Sequence, residues 1–264
     1  MAFFVSIYSL PKRGLEPNEN QDAFRPLLAP RQQFKAERSK ELPSPALLAA
    51  VADGASEGMF GELWSRILVF RAAHVFSDGG AARLISKSAE AWRTYKRRMA
   101  HAGKPLTDLP AWLEEPGLEQ GAFSTFAAIN LAEDHTWTAV AVGDSCLFHV
   151  RANELLLQWP VQASADFAKR PYLLCSAQGP SPQLADNTHS VCGRWAVDDH
   201  FFLMSDALSC WFLRKCEQGE KPWVSLLDLG TDEAGGTFQD LVTRWREAEG
   251  MRNDDVTLIR VDVL

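Results

Sequence analysis

The sequence predicts an α+β protein with helices packed outside an antiparallel sheet. Three strand-like runs, Phe123–Leu131, Thr136–Val142 and Cys146–Arg151, follow one another through short links. A parallel pair needs a long crossover, so these neighbours must be antiparallel. Helical patterns cover about 60–76, 80–100 and 237–245, with apolar residues three and four apart. No internal repeat and no linker divides the 264 residues, which read as one domain, 1–264. Helices laid against such a sheet form the α+β layer architecture.

The elements follow in order. Residues 2–9 read as a strand and 10–22 as a polar loop containing Pro11, Gly14 and Pro17. The charged stretch 28–45, with three prolines, reads as an exposed hairpin loop. Leu47–Ala52 is a buried strand running into Asp53-Gly54. Trp64, Ile67, Leu68 and Val75 share one helix face. The 80–100 helix ends in Lys96, Arg97 and Arg98, which suit the negative end of a helix dipole and so read as structural. Lys104–Gly117 is a Pro-bearing loop. Polar turns at Ala132–His135 and Gly143-Asp144-Ser145 join the three central strands. Residues 159–195, rich in Pro, Ser, Gln and Asp, show no period. Trp195–Ser205 reads as a strand and Ala207–Leu213 as a helix. Thr237 and Asp240 form a capping box ahead of Phe238, Leu241, Val242 and Trp245. Val256–Val263 is the last strand, with Ile259, Val261 and Val263 on one face.

Composition bounds the function. Hydrophobic residues make up 46%, enough for a core, and the nine tryptophans are scattered as core and helix-packing residues. The net charge of −7 argues against nucleic-acid binding, which needs a basic face. The N-terminal stretch has no basic n-region, so no signal peptide is expected. No window approaches ~18 unbroken apolar residues, so no membrane span is expected. Cys146, Cys175, Cys192, Cys210 and Cys216 form no Cys-x-x-Cys pair, which fits reduced thiols in a cytoplasmic protein. None is followed by Arg six positions later, so the phosphate loop of cysteine-dependent phosphatases is missing. The six histidines show no zinc spacing and read as structural or surface groups.

Acidic turns carry the chemistry. They are Asn20-Gln21-Asp22, Ala52-Asp53-Gly54, Gly143-Asp144-Ser145, Ser205-Asp206-Ala207 and Asn253-Asp254-Asp255, set beside apolar runs. A single Asp in a turn is ordinary, because its side chain bonds local backbone. Several carboxylates delivered from strand ends are what Mg²⁺, with its preference for oxygen, requires. Two such ions side by side bind phosphate and activate a water.

The wording and order of these turns resemble the type 2C (PPM) metal-dependent protein Ser/Thr phosphatases, in a divergent bacterial branch. The resemblance rests on NQDAF at Asn20–Phe24, VADGAS at Val51–Ser56, GAFSTFAAI at Gly121–Ile129, AVGDS at Ala141–Ser145, LMSDAL at Leu203–Leu208 and NDDVTLIRV at Asn253–Val261. It implies a four-layer α-β-β-α sandwich of two antiparallel sheets flanked by helices, with metals at one end. It implies that Asp53 bridges two Mg²⁺ or Mn²⁺ ions and that the Gly54 carbonyl ligates one. Asp206 and Asp254 complete the pair, Asp22 contacts the ions indirectly, and Asp144 helps Asp206 hold a weaker third ion. The implied reaction is attack on a phosphoserine or phosphothreonine protein, the target of a Ser/Thr kinase, by a metal-activated water. Asp53, Asp206 and Asp254 carry catalysis in this reading. Residues 159–195 fall where the family has a variable flap.

Four positions depart from the pattern. Gln21 replaces a Glu, Pro17 stands where the family has its phosphate-holding Arg, Ala55-Ser56-Glu57-Gly58 replaces Gly-Gly, and Ala207 replaces Gly. Arg13, or else Lys12, is the expected substitute for the missing anchor. Two other readings stand beside this one. The altered anchor and glycines suit a phosphatase-like module that binds without turnover. Gly54-x-Ser56-x-Gly58 also fits the serine-hydrolase elbow, with Asp166 and His200 as possible partners. That fold needs a largely parallel sheet and leaves Asp22, Asp206 and Asp254 unexplained.

Overall fold

The computed structural model describes residues 2–26, 37–55, 60–101, 120–230 and 236–264. Two antiparallel sheets lie face to face. The first contains β1 (Phe3–Leu10), β3 (Glu37–Leu42), β8 (Cys146–Arg151), β9 (Glu154–Trp159), β12 (Asp199–Met204) and β13 (Val256–Val263), in the order β3-β1-β13-β12-β8-β9. The second contains β2 (Ala23–Arg25), β4 (Leu47–Ala52), β6 (Phe126–Leu131), β7 (Thr136–Val142) and β11 (Thr188–Arg194), in the order β11-β7-β6-β4-β2. A two-residue ladder joins β5 (Phe123–Ser124) to β10 (Leu174–Cys175). Every pairing in the two sheets is antiparallel.

Burial on both faces explains the near-continuous apolar strands. Along β13, side chains alternate between faces. Ile259, Val261 and Val263 enter the core between the sheets, with Phe3, Val51, Ile129 and Phe201. Val256 and Leu258 face outward, where α3 (Asp206–Glu217), α4 (Pro222–Leu227) and α5 (Phe238–Ala248) cover the first sheet with Leu208, Phe212 and Trp245. On the far side α1 (Gly61–Phe70) and α2 (Gly80–His101) cover the second sheet through Trp64, Leu68 and Trp92. The result is the four-layer α-β-β-α sandwich.

Several expected elements are corrected. The 60–76 helix ends at Phe70 and continues only as a tight 3-10 turn, Ala72–Phe76, with Ala72 and Val75 still buried. The run 123–131 breaks at Thr125, whose N–H turns away to the Asp53 carbonyl at 2.9 Å. The strand expected over 195–205 starts at Asp199, because Asp198 has φ +67 and turns the chain. The span 159–195 is not uniformly irregular: β11 pairs with β7 along its whole length and forms a sheet edge. β9 and α4 are further elements that the sequence pattern does not display. The Lys104–Gly117 loop, Ser56 with its neighbours Glu57 and Gly58, and residues 27–36 lie outside the described residues, and the strands on either side of 27–36 form no hairpin with each other, since β2 belongs to the second sheet and β3 to the first. Among the described residues no helix is long and apolar enough to cross a membrane.

Strand register brings the acidic turns to one end. β12 ends at Met204 opposite Leu258 and Cys146, near the starts of β13 and β8. β4 ends at Ala52 opposite Ala23, and β7 ends at Val142 opposite Phe126. The Gly143-Asp144-Ser145 turn carries the chain from the second sheet to the first.

Candidate active site

Each acid is set by its local backbone. The Asp53 carbonyl accepts from the Thr125 N–H (2.9 Å) and the Ser124 hydroxyl (2.8 Å), while the Ala55 N–H donates to the Phe123 carbonyl (2.9 Å). These bonds staple the β4 exit to β5. Gly54 is required for space: a Cβ there would lie 2.7 Å from both the Gln21 carbonyl oxygen and the Gly61 carbonyl carbon. Gly143 is required for conformation, with φ +94. The Asp22 N–H closes a turn onto Asn20 Oδ1 at 2.9 Å. Asp206 opens α3, where the helix dipole favours a carboxylate. Ala207 therefore sits inside a helix and packs into the core, so no glycine is needed there. The Asp254 carbonyl accepts from Arg246 Nη2 at 2.6 Å, and the same nitrogen donates to the Pro11 carbonyl at 3.3 Å.

The electrostatics join the five turns into one cluster. Burial raises Asp53 well above the usual carboxylate range, and Asp22, Asp206, Asp144 and Asp254 each push it further. Asp22 is raised by burial and then by Asp255, with the hydroxyls of Thr257 and Ser205 pulling the other way. Burial and Asp206 push Asp144 up to about 7. Asp206 is raised by burial and by Asp254, against Arg252. Asp206 Oδ1 is buried without a hydrogen-bond partner, and both Asp22 oxygens are buried with no partner at full hydrogen-bond geometry, the Thr257 and Ser205 hydroxyls lying close enough only to favour their charge. Orphaned, mutually repelling carboxylate oxygens match the donor set that a hard divalent cation takes. Among the described residues no three Asp, Glu, His or Cys side chains stand ready as a ligand group, and Asp206 Oδ2 instead pairs with Arg252 Nη2 at 2.6 Å.

Two contributors escaped sequence reasoning. Asp255 Oδ1 accepts the Lys12 N–H and its Oδ2 the Gln21 N–H, both at 2.8 Å, clamping the N-terminal loop to the C-terminal turn. The doubled acid Asp254-Asp255 at a strand start was its only signal. Arg252, two residues before Asp254, carried none. Arg13 does not point at the acids: its guanidinium pairs with Glu247 at 3.1 Å, its side chain is 70% exposed, and its N–H donates to Asn253 Oδ1. Lys12 lies beside it in the same loop. The hydrolase partners are engaged elsewhere. His200 Nδ1 bonds Asp262 (2.7 Å), at the opposite end of β12 from Asp206, and Asp166 pairs with Lys169.

A family model described as protein phosphatase 2C matches residues 19–252. The chain belongs to the protein phosphatase 2C family. The matched span contains four of the five acidic turns and stops just short of Asp254. Solved structures share the protein phosphatase 2C fold along the whole chain. The serine/threonine phosphatase PstP/Ppp of Mycobacterium tuberculosis is 18% identical, with TM-score 0.58 over 100% of this chain and 99% of that one. A PstP catalytic domain in complex with two manganese ions is 19% identical, with TM-score 0.54 over 99% of each chain. RsbX in complex with magnesium is 15% identical, with TM-score 0.51 over 100% of this chain and 96% of that one. A comparison with curated proteins returns no match.

Proposed function

We propose that this protein hydrolyses phosphomonoesters on phosphoserine or phosphothreonine proteins, at a two-metal carboxylate site, in the cytoplasm. The observation that carries this reading is Asp53, whose carboxyl is raised first by burial and then by the acids of all four other turns. A carboxylate that four others repel is the one two ions would share in this reading. Asp53, the Gly54 carbonyl, Asp206 and Asp254 would hold two Mg²⁺ or Mn²⁺ ions, with Asp22 and Asp144 at the margin. Bound there, the ions would neutralise phosphoryl charge and lower the pKa of an attacking water. The chain's own residues supply the positions. Asp255 and Arg246 fix the Asp254 turn against the N-terminal loop. Gly54 lets the Asp53 turn lie flat on Gln21 and Gly61. The α3 N-terminus steadies Asp206.

Hydrolysis of p-nitrophenyl phosphate tests the reading. Turnover should require millimolar Mn²⁺ or Mg²⁺, cease in EDTA, and be lost in Asp53→Ala with the fold intact by circular dichroism. Turnover that persists in EDTA sinks it. A module that binds phosphoproteins without turnover is the second reading, favoured by the outward turn of Arg13 onto Glu247. Binding of a phosphopeptide with no release of phosphate would select it.

A further inference from the structure

The two oxygens of Asp206 face different surroundings. Oδ1 is buried and unpaired among the acids. Oδ2 receives Arg252 Nη2 at 2.6 Å, and the Arg252 side chain is 45% exposed. Arg252 thus sits at the rim of the cluster, half in solvent, one carboxylate away from whatever Oδ1 holds. The guanidinium has five N–H donors in a planar fork, and the Asp206 bond engages one nitrogen of it. A planar fork is suited to two oxygens of a phosphate at once.

We propose that Arg252, oriented by Asp206, grips the substrate phosphate. The inference rests on the phosphomonoester reading above. It differs from a purely electrostatic role, in which Arg252 only offsets the charge of Asp206, because the two roles move different equilibria. A phosphate grip changes affinity for phosphate at fixed metal. A counter-charge changes affinity for metal.

Inorganic phosphate titrated calorimetrically into the Mn²⁺-loaded protein separates them. Arg252→Gln should weaken phosphate binding at saturating Mn²⁺ about ten- to hundredfold, the range for a charge-assisted bond, a loss larger than any change in the separately measured Mn²⁺ Kd. Arg252→Lys keeps the charge and loses the fork, so it should recover only part of the loss. This variant decides the matter if Arg252→Gln folds poorly: phosphate affinity equal to the parent overturns the proposal. So does an unchanged phosphate Kd in Arg252→Gln, including the case where only Mn²⁺ affinity moves. A parent protein that binds phosphate through Arg252 but hydrolyses no aryl phosphate sinks the enzyme reading and leaves the grip standing. A parent that binds neither Mn²⁺ nor phosphate sinks both.

Discussion

Burial, and then Asp206, raises the Asp144 carboxyl to about 7 in the fold, so it keeps its proton up to that pH. In the unfolded chain it loses that proton near ~3.9. Between these values the folded state binds more protons than the unfolded state, so stability falls as pH rises. Melting curves in EDTA should therefore show Tm dropping from pH 5 to pH 8, and Asp144→Asn should flatten the slope. Saturating Mn²⁺ should remove the drop in the parent. A Tm in EDTA that rises across this range contradicts the cluster as described. The acids themselves are readable because each stands in a turn beside an apolar run and in the family's order, a pattern carried by neighbours in sequence. Asp255 and Arg252 were not. Asp255 gains its role from backbone donors 243 and 234 residues away. Arg252 gains its role from Asp206, 46 residues away. No local pattern encodes such partners.

The β4 exit depends on one missing methyl group. Gly54→Ala would drive a Cβ into main-chain atoms of Gln21 and Gly61, neither of which is a side chain able to swing aside. Overpacking of this kind costs on the order of 1–3 kcal/mol, and Tm should fall by about 3–10 °C. Gly179→Ala, with nothing within 4 Å of its Cβ position, should leave Tm within about 1–2 °C. Equal effects in thermal melts would refute the close approach. Elements buried on both faces, such as β4 and β13, announced themselves through long apolar runs. β11 did not, since Thr-His-Ser-Val-Cys-Gly-Arg lies on an edge with exposed residues alternating along it. β9 was hidden by its turn. Ala152 and Asn153 both take positive φ (+49 and +60), as a two-residue hairpin requires, but Ala-Asn lacks the usual glycine signal. α4 is six residues long, too short to display a period.

The two sheets contribute different acids, so the site exists only while they stay in register. Phe201 lies between them, stacked on His149 at 4.3 Å and edge-on to Trp137 at 5.8 Å. Phe201→Ala should cost about 3–5 kcal/mol and weaken Mn²⁺ binding although it touches none of the acids. Calorimetry with unchanged Mn²⁺ affinity would show that the halves hold their spacing without it. The four-layer arrangement followed from family wording, while strand counting alone stopped at a sheet with helices outside. The reason is that sheet-to-sheet packing is a property of side chains meeting across the sandwich. The place of β13 has a consequence for how the molecule comes into being. It lies in the middle of the first sheet, between β1 and β12, yet it is the last of these strands to be synthesised. Until residues 256–263 leave the ribosome, β1 and β12 have a gap between them and the Asp254 turn has no seat. Until then β1 and β12 each keep an open edge, a state exposed to mispairing and aggregation. The acidic cluster is complete only after that wait ends, so whatever chemistry it performs belongs to a chain that already includes residues 256–263.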